Sequence, residues 1–167
     1  MELYLLRHAI ALEREAFDGD DDSERPLTPD GKKKMQRAAR GMLRLGLSFD
    51  WILSSPYVRA RDTADIVADV FTNRRHLRLT ELLEPGADQR ELVRHLAARH
   101  QKHDVMLVGH EPDLSTLLAR LLGVRSSQSV RMKKGALCLL SIERVRNGAC
   151  ARLEWMLTPK QLGLVKA

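Results

Sequence analysis

Two arginines and two histidines stand where short apolar runs end. The run Leu3-Tyr4-Leu5-Leu6 passes without a turn into Arg7-His8. The stretch "WILSSPYVRA" carries Arg59 just beyond its apolar segment, and "VMLVGH" ends on His110. Guanidinium groups match phosphate oxygens through bidentate, charge-assisted hydrogen bonds, so a pocket holding Arg7 and Arg59 suits a phosphoryl group. A neutral histidine beside that group can attack phosphorus and carry it covalently. The arginines would help twice, by lowering the histidine pKa and by neutralising charge on the group in transfer. Phosphoryl transfer rests mainly on positioning and electrostatics, and this set of residues calls for no metal and no cofactor.

The elements needed to bring these residues together can be read from the pattern. Residues 2–6 form a strand, and residues 9–27 an irregular loop containing the acidic run "DGDDDSE". That run lacks the spacing of a calcium loop and reads as a solvated segment. Thr28 caps a helix with Pro29 at its first position; Met35, Ala38, Ala39, Met42 and Leu43 form its apolar stripe, and Gly46 ends it. "FDWILSSP" is a second strand. Ser55 then caps the next helix, Pro56 opens it, and Arg59 falls in its first turn, where free backbone N–H groups favour an anion. Ala60, Ala64, Val67 and Phe71 are its buried face. "HLRLT" is a short strand, and Asp88 with Glu91 starts a further helix at capping-box spacing. "DVMLVGHEPDLSTLLARLLG" is a buried strand, a turn and a helix closed by Gly123. "ALCLLSIE" and "ARLEWML" are paired strands around Asn147-Gly148, a turn that sets Cys150 opposite Val145 rather than Cys138 and argues against a disulfide. Strands alternating with helices predict an α/β three-layer sandwich with a largely parallel central sheet and helices on both faces. In such a sheet, ligands bind beyond the carboxyl ends of the strands. Strand order does not follow from this pattern.

Composition narrows the class. With 167 residues, 44% apolar and 30% charged, the chain is sized for a single domain, 1–167, with a substantial core. No apolar run reaches the roughly 20 residues of a membrane helix. No basic n-region followed by an apolar stretch and cleavage site is visible, which predicts a cytoplasmic protein with no membrane partner. The net charge of +6 raises nucleic-acid binding. The densest basic stretch, "KKKMQRAARGMLR", puts Lys33, Arg37, Arg40 and Arg44 on one helix face without aromatic interleaving, so it reads as solvated and no nucleic acid is expected. His76, His95, His100 and His103 read as surface or satisfied residues. His100 and His103 have zinc-like spacing but no further ligand nearby in the sequence. Trp51 and Trp155 read as core or near-core residues.

The segments "LLRHA", "RPLTPDG", "SSPYVRARDTA" and "LVGHEP" occur in an order and spacing that resemble the histidine phosphatase superfamily, the phosphoglycerate-mutase-like fold, across roughly residues 3–116. Each motif alone is weak, and the four in order are specific. The chain length and "RPLTPDG" make it most similar to the phosphohistidine phosphatase SixA group. The resemblance implies that His8 is the nucleophile, that Arg7 and Arg59 clamp the phosphoryl oxygens, and that His110 completes the pocket. Arg25 is implied as a further phosphate contact, with a structural role as its alternative. Many members also carry an acid that protonates the leaving group; Glu84 is the first candidate here and Glu81 the second. Position 9 is Ala where many members have Gly, which would strain the backbone if a positive φ were required. The substrate implied is a phosphohistidine-bearing protein, with a small phosphoester as the enzymatic alternative. A phosphoprotein-binding module without turnover and a basic nucleic-acid-binding domain are the alternatives from other classes.

Overall fold

The computed structural model describes residues 1–125 and 130–165. Six strands form one sheet: β1 (Glu2–Arg7), β2 (Trp51–Ser54), β3 (Leu77–Leu79), β4 (Val105–Gly109), β5 (Leu137–Ile142) and β6 (Ala151–Leu157). Their order is β3-β2-β4-β1-β5-β6. β1, β2, β3 and β4 are mutually parallel; β5 pairs antiparallel with β1, and β6 antiparallel with β5. The helices are α1 (Pro29–Arg44), α2 (Val58–Val70), α3 (Gln89–Arg99), α4 (Asp113–Leu122) and the short α5 (Pro159–Leu162). The architecture is the expected α/β sandwich.

The two-residue period of β1 divides the core. Tyr4 and Leu6 pack with α1, α2 and α5 on one face, and Leu3 and Leu5 with α3 and α4 on the other. All of β4 is buried, which explains its unbroken apolar reading. The Thr28 side chain accepts from Gly31 N at 2.9 Å to start α1, and Asp88 accepts from Arg90 N at 2.8 Å to start α3. Gly123, at φ 73°, ends α4 in the left-handed region. Gly31 also serves the site, because a Cβ there would lie 2.1 Å from Ile10 O. Only glycine lets α1 lie this close to the chain that leaves His8.

Several local expectations change. Ser55 does not cap α2: the helix begins at Val58 with Tyr57 as an N-cap that offers no side-chain acceptor. Leu43 is exposed rather than part of the α1 stripe, and Phe71 is only partly buried. β5 ends at Ile142 and β6 begins at Ala151, so residues 143–150 form a wider connection than a two-residue turn. Cys138 lies opposite Met156 in the sheet, and both cysteines are free thiols. His100 is buried, with its ring centroid 5.7 Å from that of Trp51. Ala9 escapes strain: among the described residues Thr72 is the one non-glycine at positive φ. No helix among the described residues is long and apolar enough to cross a membrane.

Candidate active site

Strand order answers what local pattern could not. β1 and β4 are neighbours, with Arg7 opposite Gly109, and His8 N donates to Gly109 O at 3.0 Å. The two strands therefore release His8 and His110 side by side, with ring centroids 5.2 Å apart. β2 lies on the far side of β4, and Ser55 N donates to Val108 O at 3.0 Å, which brings the start of α2 and Arg59 to the same sheet end. Thr63 ties these pieces together. Its hydroxyl donates to Arg59 O at 2.7 Å and accepts from Ala9 N at 3.0 Å. On the other flank, Gly135 N lies 3.0 Å from His8 O, and Gly135 holds a φ of 75°. The result is an open cavity of about 390 Å³ that includes Arg7, His8, Arg25, Arg59 and His110 in its wall.

His8 is 6% exposed, and its Nδ1 lies 2.7 Å from Ala9 O. A carbonyl can only accept, so Nδ1 carries the proton and donates. In the neutral ring Nε2 then holds the free lone pair. Burial pushes the His8 pKa down to about 3, working against the Ala9 hydrogen bond and aided by His110, Arg59 and Arg7. Burial likewise takes His110 down to about 3, with Arg59 as the next cause. Desolvation, rather than the arginines, is thus the larger influence on both rings. His110 Nε2 is 2.9 Å from Ser55 Oγ, and its Nδ1 is buried without a partner.

The arginines are held by part of each guanidinium. Arg7 Nη1 donates to Met132 O at 2.8 Å, while its Nε is buried without a partner. Arg59, 4% exposed, donates from Nη1 to Asp22 O at 2.7 Å and pairs through Nη2 with Asp22 Oδ2 at 3.0 Å; its Nε is also buried and unpartnered. Buried polar groups are rarely left unpaired. Two guanidiniums, each with a buried and unpartnered Nε, thus meet two neutral histidines at one small cavity. Arg25 reaches the wall with Nε 2.8 Å from Asp22 Oδ1 and Nη1 2.5 Å from Leu12 O.

Arg7, His8, Arg25, Arg59 and His110 are brought together; Glu84 and Glu81 are not among the wall residues, although Pro85 is. The carboxylates that do reach it are Glu13, Glu15, Asp22 and Glu111. Glu13 is engaged by Lys134 Nζ at 3.0 Å, and Glu111 accepts from Ser115 Oγ at 2.9 Å. Asp22 belongs to the acidic run read as solvated, and Ser55 to the presumed helix cap. Neither carried a sequence signal for this position, since their partners lie far along the chain. Tyr57 is a further addition. Its ring lies 5.0 Å from the Arg59 guanidinium carbon and 5.2 Å from the His110 ring.

The two lowered histidine pKa values set a pH dependence of stability. Unfolded histidine takes up a proton near pH 6.5, while His8 and His110 refuse it down to about 3. Between those values the unfolded chain binds more protons, so stability is present above pH 6.5 and is lost as pH falls toward 3. Each histidine contributes at most about 1.4 kcal/mol per pH unit. His8→Gln is expected to flatten this fall by up to one proton's slope, read from urea unfolding at pH 7, 5 and 4. An unchanged slope would mean that His8 is protonated in the folded state.

Comparison with known proteins bears on the family and the fold. The family model of the histidine phosphatase superfamily (branch 1) matches residues 3–86. An uncharacterised protein of Picosynechococcus sp. is 36% identical over 141 residues, 82% of each chain. Phosphohistidine phosphatase SixA of Escherichia coli is 24% identical over 169 residues, covering 100% of this chain and 99% of its own. A solved structure of the protein histidine phosphatase SixA complexed with tungstate shares the fold, with a TM-score of 0.85 at 22% identity over 97% of this chain and 99% of that one. Sequence family and fold coincide, and the chain belongs to the histidine phosphatase superfamily, as a hydrolase of its SixA-like branch.

Proposed function

We propose that the chain is a phosphatase that works through a phosphohistidine at His8 and removes phosphate from phosphohistidine in proteins. The observation that carries this reading is the state of His8. It is a buried neutral imidazole with Nδ1 donating to Ala9 O at 2.7 Å, so Nε2 is free to attack, beside two arginines with unpartnered Nε donors. Nε2 of His8 forms a bond to phosphorus as the phosphorus–nitrogen bond of the substrate breaks. Arg7 and Arg59 balance the charge on the oxygens in flight. Water then attacks the phosphoryl on His8, which leaves as inorganic phosphate and restores the neutral ring.

The leaving group favours a phosphohistidine over an ester. A substrate imidazole protonated on its other ring nitrogen departs as a neutral base, whereas an alkoxide needs a proton from a placed acid. Glu84 and Glu81 do not line the cavity, and Glu13 and Glu111 are engaged by neighbours. The cavity is open enough to admit a side chain presented by another protein, and the SixA relatives carry phosphohistidine phosphatase names. No cofactor is required by this chemistry.

The test is phosphate release from two substrates side by side, a phosphohistidine-labelled carrier protein and p-nitrophenyl phosphate, with EDTA present. Faster release from the phosphoprotein is expected. Faster release from the ester would assign a general phosphomonoesterase and make Glu15, the remaining carboxylate of the cavity wall, the first acid to replace. No release from either would leave a phosphate-binding module.

A further inference from the structure

We infer that Asp22 is a positioning residue that aims Arg59 and Arg25 at the phosphoryl group, an inference that rests on the phosphate-binding reading of the arginines. Asp22 sits in a short 3-10 turn at Asp22–Glu24, inside the acidic run. It uses three acceptors at once. Its backbone oxygen takes Arg59 Nη1 at 2.7 Å, Oδ2 takes Arg59 Nη2 at 3.0 Å, and Oδ1 takes Arg25 Nε at 2.8 Å. One residue thereby sets the orientation of two guanidiniums relative to each other. It also occupies the Nη edge of Arg59 and leaves Nε as the buried donor without a partner.

The energetics favour this division of labour. The Arg59 side chain is 5% exposed, and a buried cation without a counterion is costly. Asp22, at 40%, keeps contact with water, so its own charge is cheaper to maintain. Held only by Coulomb attraction, a long side chain would sample several rotamers; the two-point grip restricts Arg59 to one. The remaining acids of the run make no such contact. Asp20 is exposed, and its backbone oxygen, not its carboxylate, receives Arg14 Nη2 at 3.2 Å. Position 22 is therefore distinguished from its neighbours by geometry and not by charge.

Tungstate affinity, measured by calorimetry on the intact chain, tests this in a double-mutant cycle. Asp22→Ala is expected to weaken binding about tenfold in the wild-type background and by about twofold or less once Arg59→Ala is present, because two of its three contacts are to Arg59 and the loss of the Arg25 contact is then offset by removing an unpaired carboxylate from beside the anion. Asp20→Asn, which removes the same charge from the same run, is expected to leave affinity within about twofold. An equal loss in both backgrounds would reduce Asp22 to a general structural role and overturn the inference. Unchanged or tighter binding in Asp22→Ala would overturn it too, the latter by making the carboxylate a competitor of the anion. If the wild type fails to bind tungstate at all, the phosphate-site reading itself falls, a result separate from any outcome of the cycle.

Discussion

His8→Ala is expected to abolish phosphate release while leaving the fold intact. His8 follows the last residue of β1 and faces the cavity wall, and neither of the two apolar clusters includes it. Its removal therefore opens no hole among packed aliphatic side chains, and it eliminates a buried ring whose protonation opposes folding. The chemistry has no substitute. His110, the only other histidine of the cavity, is tied through Nε2 to Ser55 Oγ at 2.9 Å, and its Nδ1 is buried. Loss of a covalent nucleophile lowers turnover by roughly four to six orders of magnitude in enzymes built this way. Single-turnover assays should show phosphate bound covalently to the wild type in an acid-labile, base-stable form and none on His8→Ala. Turnover retained within tenfold of wild type would remove His8 from the nucleophile role.

The parts of this site legible in the sequence are those encoded by short-range pattern. An apolar run that ends in Arg7-His8 or in His110 marks the end of a buried strand, and Arg59 falls in the first turn of the helix whose buried face is Ala60, Ala64 and Val67. These local signals were enough to nominate Arg7, His8, Arg59 and His110, and the fold brings all of them to one cavity. What escaped depends on long-range pairing. The adjacency of β1 and β4 rests on hydrogen bonds between segments about a hundred residues apart, and nothing in either run specifies the partner. Asp22 looks identical to its acidic neighbours until the loop folds back on Arg59, 37 positions later. Ser55 satisfied a capping rule locally, but the hydroxyl finds a better acceptor or donor in His110 across the site, and the helix starts later. Glu84 shows the converse: resemblance alone nominated it, and the 3-10 turn at Glu81–Leu83 leaves Pro85 rather than Glu84 at the cavity.

Arg59→Ala should weaken tungstate or phosphate binding by about 2–4 kcal/mol, equivalent to roughly 30- to 1000-fold in Kd. Two effects act in the same direction. The variant loses a charge-assisted donor from a site where Arg59 is 4% exposed, so water replaces it poorly. It also releases the Asp22 carboxylate from its pairing at 3.0 Å, leaving a negative charge near the incoming anion with only Arg25 to offset it. Arg59→Lys separates the contributions. A lysine keeps the charge but not the planar fork, and it cannot hold both oxygens of Asp22 while presenting a further donor to the ligand. Its affinity should therefore fall between wild type and Arg59→Ala. Full recovery with lysine would show that a point charge suffices and that the orphaned Nε is not used. Unchanged binding in Arg59→Ala would place the anion elsewhere, against Arg7 and the start of α2, where Val58 and the backbone of residue 59 precede the first helical hydrogen bonds at Ala60 and Arg61.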